Sequence, residues 1–455
     1  MSHSRFITRL FYSPARVIAL SFAVVILLGT MLLMLPACAR DGVSTPFLDC
    51  LFTATSATCV TGLIIYDTYW HWSALGHVVI LSLIQIGGLG LVTFTSFVQI
   101  LIGKKLGLRG RHLAQESTAS LGEDVNQLLR VVIGTSLVVE LAGLLLLATQ
   151  LVPQYGAEGI FIAAFTSISA FCNAGFDLFG RQAPFISLCN YNANLILLVI
   201  VGLLILTGGI GFIVIHDLAN YRKTRKLTLH TRVVLLTSLI LMLLGMGMTA
   251  LCEWDNPATL GALPDGMQRV GAAWFHSVSC RTAGFNSVPI DGMRPITKVF
   301  SSLLMFLGAA PGSTGGGIKC TTAAVIAMTV YSVIRGDEET LIFGRRVDKS
   351  AVYKSLAVMM LGVLAVSVTG GCILLTMEDA AAISGVDAVF ESVSAFATVG
   401  LSAGISANAN TPSLLLLILS MFIGRIGPVS FFLSMAMRTS VRRRVIVPEG
   451  KIQIG

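Results

Sequence analysis

Charge is what this sequence is short of. Asp, Glu, Lys and Arg make up 12% of its 455 residues, against about 25% in an average soluble chain. With 55% hydrophobic residues alongside, that scarcity excludes a soluble globular protein. No CxxC pair or zinc-type spacing occurs among the nine cysteines, so packing is the role expected of them. No nucleophile–base–acid set is apparent, which argues against an enzyme, and no stretch has the composition of a soluble domain. The apolar runs are also read as lacking a spare carboxylate of the kind an ion-coupled carrier would use.

Long hydrophobic runs are abundant instead. A membrane-spanning helix needs about 20 mainly apolar residues, and eight segments qualify, at 17–36, 75–102, 129–151, 193–216, 232–251, 297–332, 352–376 and 412–436. The sixth is overlong and interrupted by glycines, so it is not expected to be one regular helix. The +8 net charge gathers in alternate connections. These hold Lys104, Lys105, Arg109 and Arg111; Arg222, Lys223, Arg225 and Lys226; Arg335, Arg345, Arg346 and Lys349; and Arg438, Arg442, Arg443 and Arg444, with Arg5, Arg9 and Arg16 at the N-terminus. The positive-inside rule then makes both termini of this multi-pass protein cytoplasmic. Anionic lipid headgroups are the expected partner of this charge, with a cytoplasmic protein second and no nucleic acid.

Between successive spans lie four short, related stretches: Phe52–Gly62, Phe165–Gly175, Trp274–Gly284 and Phe390–Gly400. Each opens on an aromatic residue ten positions before a glycine, is filled with small or hydroxylated residues, and is followed by Leu63, Phe176, Phe285 or Leu401. Ten helical residues cover about 15 Å, half of a roughly 30 Å hydrocarbon core. Such a half-helix must return as non-helical backbone, which is tolerated at that depth only against protein or water. Pro46 after Ser44 and Thr45 suggests an N1 proline for the first half-helix, and Ser384 with Asp387 has the form of a capping box. The chain therefore reads as an all-α membrane protein of four tandem span–pore helix–filter loop–span units in a pseudo-four-fold arrangement around one pore.

The units are placed at 14–102, 129–216, 232–332 and 350–436. The segments 1–13, 103–128, 217–231, 333–349 and 437–455 are the cytoplasmic N-terminus, linkers and tail. All units share one inside–outside–inside path, so the repeats are parallel, not inverted. Glycine lets backbone approach an ion closely, so carbonyls around it could replace an ion's water shell. The candidate ion-binding residues are Thr61 and Gly62, Ala174 and Gly175, Ala283 and Gly284, and Val399 and Gly400, with Val60, Asn173, Thr282 and Thr398 as neighbours.

At these residues the chain resembles the Trk/Ktr/HKT superfamily of cation transporters, and the likeness covers nearly its whole length. It starts directly at the first unit, without the two extra N-terminal helices typical of the Trk type, so it is most similar to the Ktr-type membrane subunit. The resemblance implies a K⁺-selective filter with glycine at the critical place of all four loops. It also implies K⁺ as the transported ion with Na⁺ as a possible second, no bound cofactor, a homodimer, and a cytoplasmic nucleotide-binding regulatory partner of RCK/KTN type. The bacterial-type cytoplasmic membrane expected for the protein follows from the same resemblance. The alternative is a Na⁺- or H⁺-coupled secondary cation transporter, and a membrane enzyme is the more distant rival.

Two further features bear on gating. The third unit's second span is broken at residues 308–319 by Pro311 and a glycine cluster. Its GSTGGGIK stretch is reminiscent of a phosphate-binding loop, but Ile318 separates glycine from Lys319 where the motif needs Gly-Lys-Ser/Thr. A passive helix kink is one reading of this stretch. The resemblance implies an intramembrane gate instead, formed by Gly312, Ser313, Thr314, Gly315, Gly316, Gly317 and Lys319. Arg425 lies deep in the last span, where a charge is costly and faces water or a partner. The family carries a basic residue there, which implies an electrostatic barrier that also holds the gate, against a purely structural contact. The shorter runs at Gly87, Gly208 and Gly424 are expected to allow close helix packing. His276 is read as a packing or hydrogen-bonding group, and no metal or haem role is expected of it or of His71 and His77. Asp177 is read either as a carboxylate concentrating cations at the outer mouth or as a solvated loop carboxylate. The resemblance implies a structural role for Arg281 behind the third filter.

Overall fold

The computed structural model describes residues 14–90, 125–377 and 384–435. The basic residues at the N-terminus before Pro14, those at 104–111 and the Arg442–Arg444 tail lie outside them. The chain is mostly helical. The first unit comprises α1 (Pro14–Leu33), the half-helix α2 (Phe47–Cys59), a short α3 (Thr68–His71) and α4 (Ala74–Leu89). The second has α5 (Val125–Tyr155), half-helix α6 (Glu158–Phe171), α7 (Leu195–Gly209) and α8 (Phe212–Thr224). The third has α9 (Leu229–Glu253), half-helix α10 (Gly266–Ser279), α11 (Pro295–Phe306) and α12 (Cys320–Arg335). The fourth has α13 (Lys349–Thr376), half-helix α14 (Gly385–Ala397), α15 (Thr411–Ile426) and α16 (Pro428–Met435).

The first and second long helices of each unit differ in kind. Among the described residues, four helices are long and apolar enough to cross a membrane, within α1, α5, α9 and α13. The second helices are shorter, 16 residues in α4 and 15 in α7, or about 24 Å at 1.5 Å per residue. In the spans expected at 193–216 and 412–436 the helix ends at Gly209 and Ile426, and a second one begins at Phe212 and Pro428. In the span expected at 75–102, α4 ends at Leu89 and residues 91–102 lie outside the described residues. The cause is local: Gly90, Gly211 and Gly427 sit at φ +80°, +91° and +93°, a conformation that ends an L-residue helix and that glycine adopts without penalty. Between α7 and α8 the axis turns by 97°.

Side chains cap the elements that start beside the half-helices and loops. Ser73, Asn194, Thr228, Asp265, Ser384 and Asn410 each accept a backbone N–H in the first turn of the following helix, satisfying donors that have no intrahelical partner. Two expected caps are corrected. Pro46 stands before the first helical residue, not in it, and Ser44 and Thr45 turn to Met34 O and His71 Nε2. Ser384 caps α14 as expected, but Asp387 does not reach back, because its carboxylate is taken at 2.7 Å by Lys298 Nζ of α11. The segment between the third and fourth units, expected as a simple linker, contains an antiparallel hairpin of β1 (Leu341–Ile342) and β2 (Arg345–Arg346). Phe343 and Gly344 at its tip both have positive φ, as a two-residue hairpin turn requires.

The half-helices occupy the centre. The first long helix of each unit packs on its own half-helix, in the pairs α1–α2, α5–α6, α9–α10 and α13–α14. Each second helix packs on the half-helix of the following unit, in the pairs α4–α6, α7–α10 and α11–α14. The series closes, because α15 packs on α2. Phe52, Phe165, Phe275 and Phe390 are fully buried within the half-helices that lead to each loop.

Candidate functional site

Each half-helix gives way to the same backbone path. Two residues before the glycine, the chain enters the left-handed region at Val60 (φ 59°), Asn173 (59°), Thr282 (70°) and Thr398 (52°). The glycines follow at φ +93°, +73°, +81° and +97° for Gly62, Gly175, Gly284 and Gly400. Positive φ is uncommon for non-glycine residues and worst for β-branched ones, so Val60, Thr282 and Thr398 are held there by their surroundings. Part of that restraint is a tight return bond to the end of the half-helix. Thr61 N, Ala174 N and Val399 N each donate at 2.8 Å to Ser56 O, Ser169 O and Ser394 O, and Ala283 N donates to Ser279 O at 3.0 Å.

The four glycines meet. A Cβ on Gly62 would come within 3.0 Å of Ala174 O, one on Gly175 of Ala283 O, one on Gly284 of Val399 O, and one on Gly400 of Thr61 O. Every contact is to the carbonyl preceding the next unit's glycine, and the cycle ends where it began. The carbonyls of Thr61, Ala174, Ala283 and Val399 are thereby drawn together with no side chain between them. Serine hydroxyls behind this ring brace it in two ways. Gly62 N and Gly400 N donate to Ser56 Oγ and Ser394 Oγ, both at 3.1 Å. Ser169 Oγ and Ser279 Oγ donate to Phe176 O and Phe285 O, both at 2.6 Å.

Ser279 therefore matches Ser169, which corrects the register of the third motif. Counting from Ser279, the buried aromatic four residues earlier is Phe275, not Trp274, and this unit reaches its glycine one residue sooner than the others. Trp274 is half-buried against α7, where its indole fills the space a Cβ at Gly202 would need. Arg281, expected as a brace, is buried and donates from Nη2 to Ser238 Oγ on α9 at 2.9 Å. His276 Nε2 pairs with Ser301 Oγ at 2.9 Å, His77 Nε2 with Thr68 O at 2.8 Å, and His71 with Thr45.

On one side of the ring lies the glycine-rich segment. A Cβ on Gly87, Gly208 or Gly424 would collide with Thr58 O, Phe171 O or Phe396 O, each the carbonyl four residues before a ring glycine. These glycines allow close packing as expected, and Gly90, Gly211 and Gly427, three residues further on, break the helix. In the third unit the equivalent stretch is the loop between α11 and α12. Gly308 N donates to Ile318 O at 2.8 Å, pinching the loop at its neck. Ala310 N and Thr314 N donate to Gly209 O and Gly208 O at 3.0 and 3.2 Å, and Phe212 N donates to Gly312 O at 2.9 Å. Gly315 and Gly316 lie against the side chains of Thr282 and Thr398. Lys319 Nζ turns back to Gly315 O at 2.7 Å, and Ser313 Oγ closes a turn on Ala310 O at 2.6 Å. The Arg425 guanidinium donates to Thr314 O of this loop and to Gly87 O at the end of α4.

The other side of the ring opens on a cavity of about 760 Å³ that all four ring glycines line. Asp67, Asp177 and Asp291 also line it, with Asn, Ser and Thr side chains and, among the described residues, no Lys or Arg. Asp67 stitches loops of two units together, accepting from Tyr69 N, Trp70 N and Phe185 N at 3.0, 3.1 and 2.8 Å. Burial pushes the Asp177 carboxyl up to about 6; hydrogen bonds from Ser187 and Phe179 N oppose the shift and the nearby Asp67 charge adds to it.

One residue contradicts the sequence reading. Glu140, in the middle of α5, is 7% exposed, so the apolar runs do contain a buried carboxylate. A single acidic residue in the run from Val131 to Tyr155 barely lowers its apolar average, which is why hydropathy alone passes over it.

Half-helices ending at a ring of backbone carbonyls, with carboxylates on one side and a guanidinium on the other, fit the class of membrane cation transport proteins. A family model described as TrkH, cation transport protein, matches residues 8–442, and the chain belongs to that family. It is 39% identical over 447 residues to Ktr system potassium uptake protein B of Bacillus subtilis (strain 168), covering 98% of this chain and 97% of that one. It is 34% identical over 450 residues to potassium/sodium uptake protein NtpJ of Enterococcus hirae, covering 97% of each. The fold is similar to that of the potassium transporter TrkH from Vibrio parahaemolyticus, with a TM-score of 0.68 at 16% identity over 90% of this chain and 84% of that one.

Proposed function

We propose that this protein is the membrane subunit of a Ktr/Trk-type potassium uptake system and passes K⁺ through a single gated pore. The observation that carries the reading is the closed cycle in which each ring glycine abuts the carbonyl preceding the next. Four units arranged in this way surround one axis, and carbonyl oxygens drawn to it replace the water lost by an entering cation. The cavity lined by Asp67, Asp177 and Asp291 is then the outer vestibule, whose charge concentrates cations. The loop at Gly312–Lys319 is the gate, and Arg425 is both its tether and a positive barrier on the path. The protein acts as a homodimer in the cytoplasmic membrane with both termini inside, on a cytoplasmic nucleotide-binding partner. It binds no cofactor of its own. The Ktr-system relative and the basic connections support that assembly.

The test is growth of a K⁺-uptake-deficient bacterium in low potassium, with the chain expressed alone and with a Ktr regulatory subunit. Rescue by either supports the reading, and failure of both refutes it. Glu140 and the potassium/sodium relative favour a second reading, a Na⁺- or H⁺-coupled carrier. Flux in proteoliposomes separates them: a carrier stops without its coupling ion, whereas a pore passes K⁺ down its own gradient.

A further inference from the structure

Glu140 is a carboxylate in the middle of a span, and among the described residues no Lys, Arg or His forms an ion pair with it. Its two oxygens share one partner: Gln85 Nε2 of α4 donates to Oε1 at 3.0 Å and to Oε2 at 3.2 Å. Burying a charge without a counter-charge is costly, so the repeat has to be asked whether it needs this one for packing. It does not. Ser167 Oγ donates to Glu140 O at 2.7 Å, and Ser277 Oγ makes the same 2.7 Å bond to Met242 O in the next unit. Three residues further on, Gly143 and Gly245 take those serine hydroxyls against their backbones in the same way. An apolar methionine thus does in the third unit all that packing asks of this position.

The carboxylate acts on the Gln85 amide. By occupying Nε2 from both oxygens it fixes which way the amide faces and leaves Gln85 Oε1 to accept from Cys172 Sγ at 3.8 Å. Cys172 caps α6 and immediately precedes Asn173, Ala174 and Gly175. It also rests on Gly88, whose Cβ position lies 2.5 Å from Cys172 Sγ. From the far side, Arg425 holds Gly87 O and Gly88 O. The Gln85–Gly88 turn is thus held by a carboxylate on one flank and a guanidinium on the other, and the second filter strand leans on it.

We propose that Glu140, through Gln85, is a positioning residue for the second filter strand and helps set the preference for K⁺ over Na⁺. This rests on the ring being the filter. The experiment is competitive K⁺ and Na⁺ flux through purified protein in proteoliposomes for wild type, E140A, E140Q, Q85L and the E140A/Q85L double variant. E140A and Q85L each lower the K⁺ over Na⁺ ratio about tenfold while maximal K⁺ flux stays within about threefold, and the double variant falls no further, as expected of residues acting in one chain. E140Q recovers most of the ratio, because its amide oxygen still accepts from Gln85 Nε2. An unchanged ratio in Q85L, an additive loss in the double variant, or an equal fall of both fluxes would overturn the proposal. Q85L carries the test if E140A does not fold. A wild type that shows no preference for K⁺ would instead refute the filter reading itself.

Discussion

Replacing Arg425 by alanine probes the proposed gate most directly, because one side chain joins the loop of the third unit to the end of α4. A hydrogen bond to a charged group contributes about 1.5–3 kcal/mol, and a neutral one about 0.5–1.5 kcal/mol. The loop would keep its neutral ties, Ala310 N to Gly209 O, Thr314 N to Gly208 O and Phe212 N to Gly312 O, so it should stay folded while losing its strongest single tether. At about 1.4 kcal/mol per factor of ten, losing the Thr314 contact shifts the loop equilibrium by roughly tenfold to a hundredfold. K⁺ flux into proteoliposomes should rise by a similar factor, helped by removal of a positive charge from the proposed path. Arg425→Gln, which keeps a neutral amide donor, should fall between the two. Flux and apparent K⁺ affinity both unchanged in Arg425→Ala would refute the assignment and leave Arg425 as a structural contact only.

The ring is tested by Gly175→Ala, which forces an L-residue to φ +73° and sets its Cβ 2.8 Å from Ala283 O. The left-handed conformation alone costs roughly 1–2 kcal/mol. K⁺ over Na⁺ preference should fall at least about tenfold, while Gly134→Ala, with nothing near its Cβ, should transport as wild type. Because the Asp177 carboxyl titrates at about 6, it is charged above that pH and neutral below. Apparent K⁺ affinity should therefore weaken as external pH falls through about 6, and Asp177→Asn should weaken it at neutral pH and remove that part of the pH dependence. Asp67→Ala removes three backbone hydrogen bonds, including the α3 cap. It should lower unfolding stability by about 1–2 kcal/mol and speed proteolysis in the loop around Phe185, read by thermal melting and limited digestion.

Much of this protein was legible from sequence because the repeat is. The four glycines sit in one slot of one pattern, and any chain that buries those small-residue half-helices must bring its glycines to equivalent places. Legibility failed where a contact has no periodic signature. The third motif aligned on Trp274 because aromatic spacing looked constant, yet Phe275 is the buried ring and the Ser279 hydroxyl sets the register. The second helices read as full spans because Gly90, Gly211 and Gly427 are surrounded by apolar residues, and hydropathy is blind to φ. Glu140 was missed as one acid in a long apolar run.

Amino-acid order alone pointed to a membrane protein, to four repeated stretches each leading to a glycine after a half-helix, and to two departures from the repeat at residues 308–319 and Arg425. These follow from local chemistry: hydropathy, chain length against bilayer thickness, and the conformational freedom of glycine. Only the tertiary structure decided that each ring glycine abuts its neighbour's carbonyl, that the broken loop lies against Thr282 and Thr398, that Arg425 reaches Thr314 and Gly87, and that Glu140 steers Gln85 toward Cys172. Each of those joins residues tens to hundreds of positions apart. No local rule specifies such pairs, because they are selected by how four packed units share one centre.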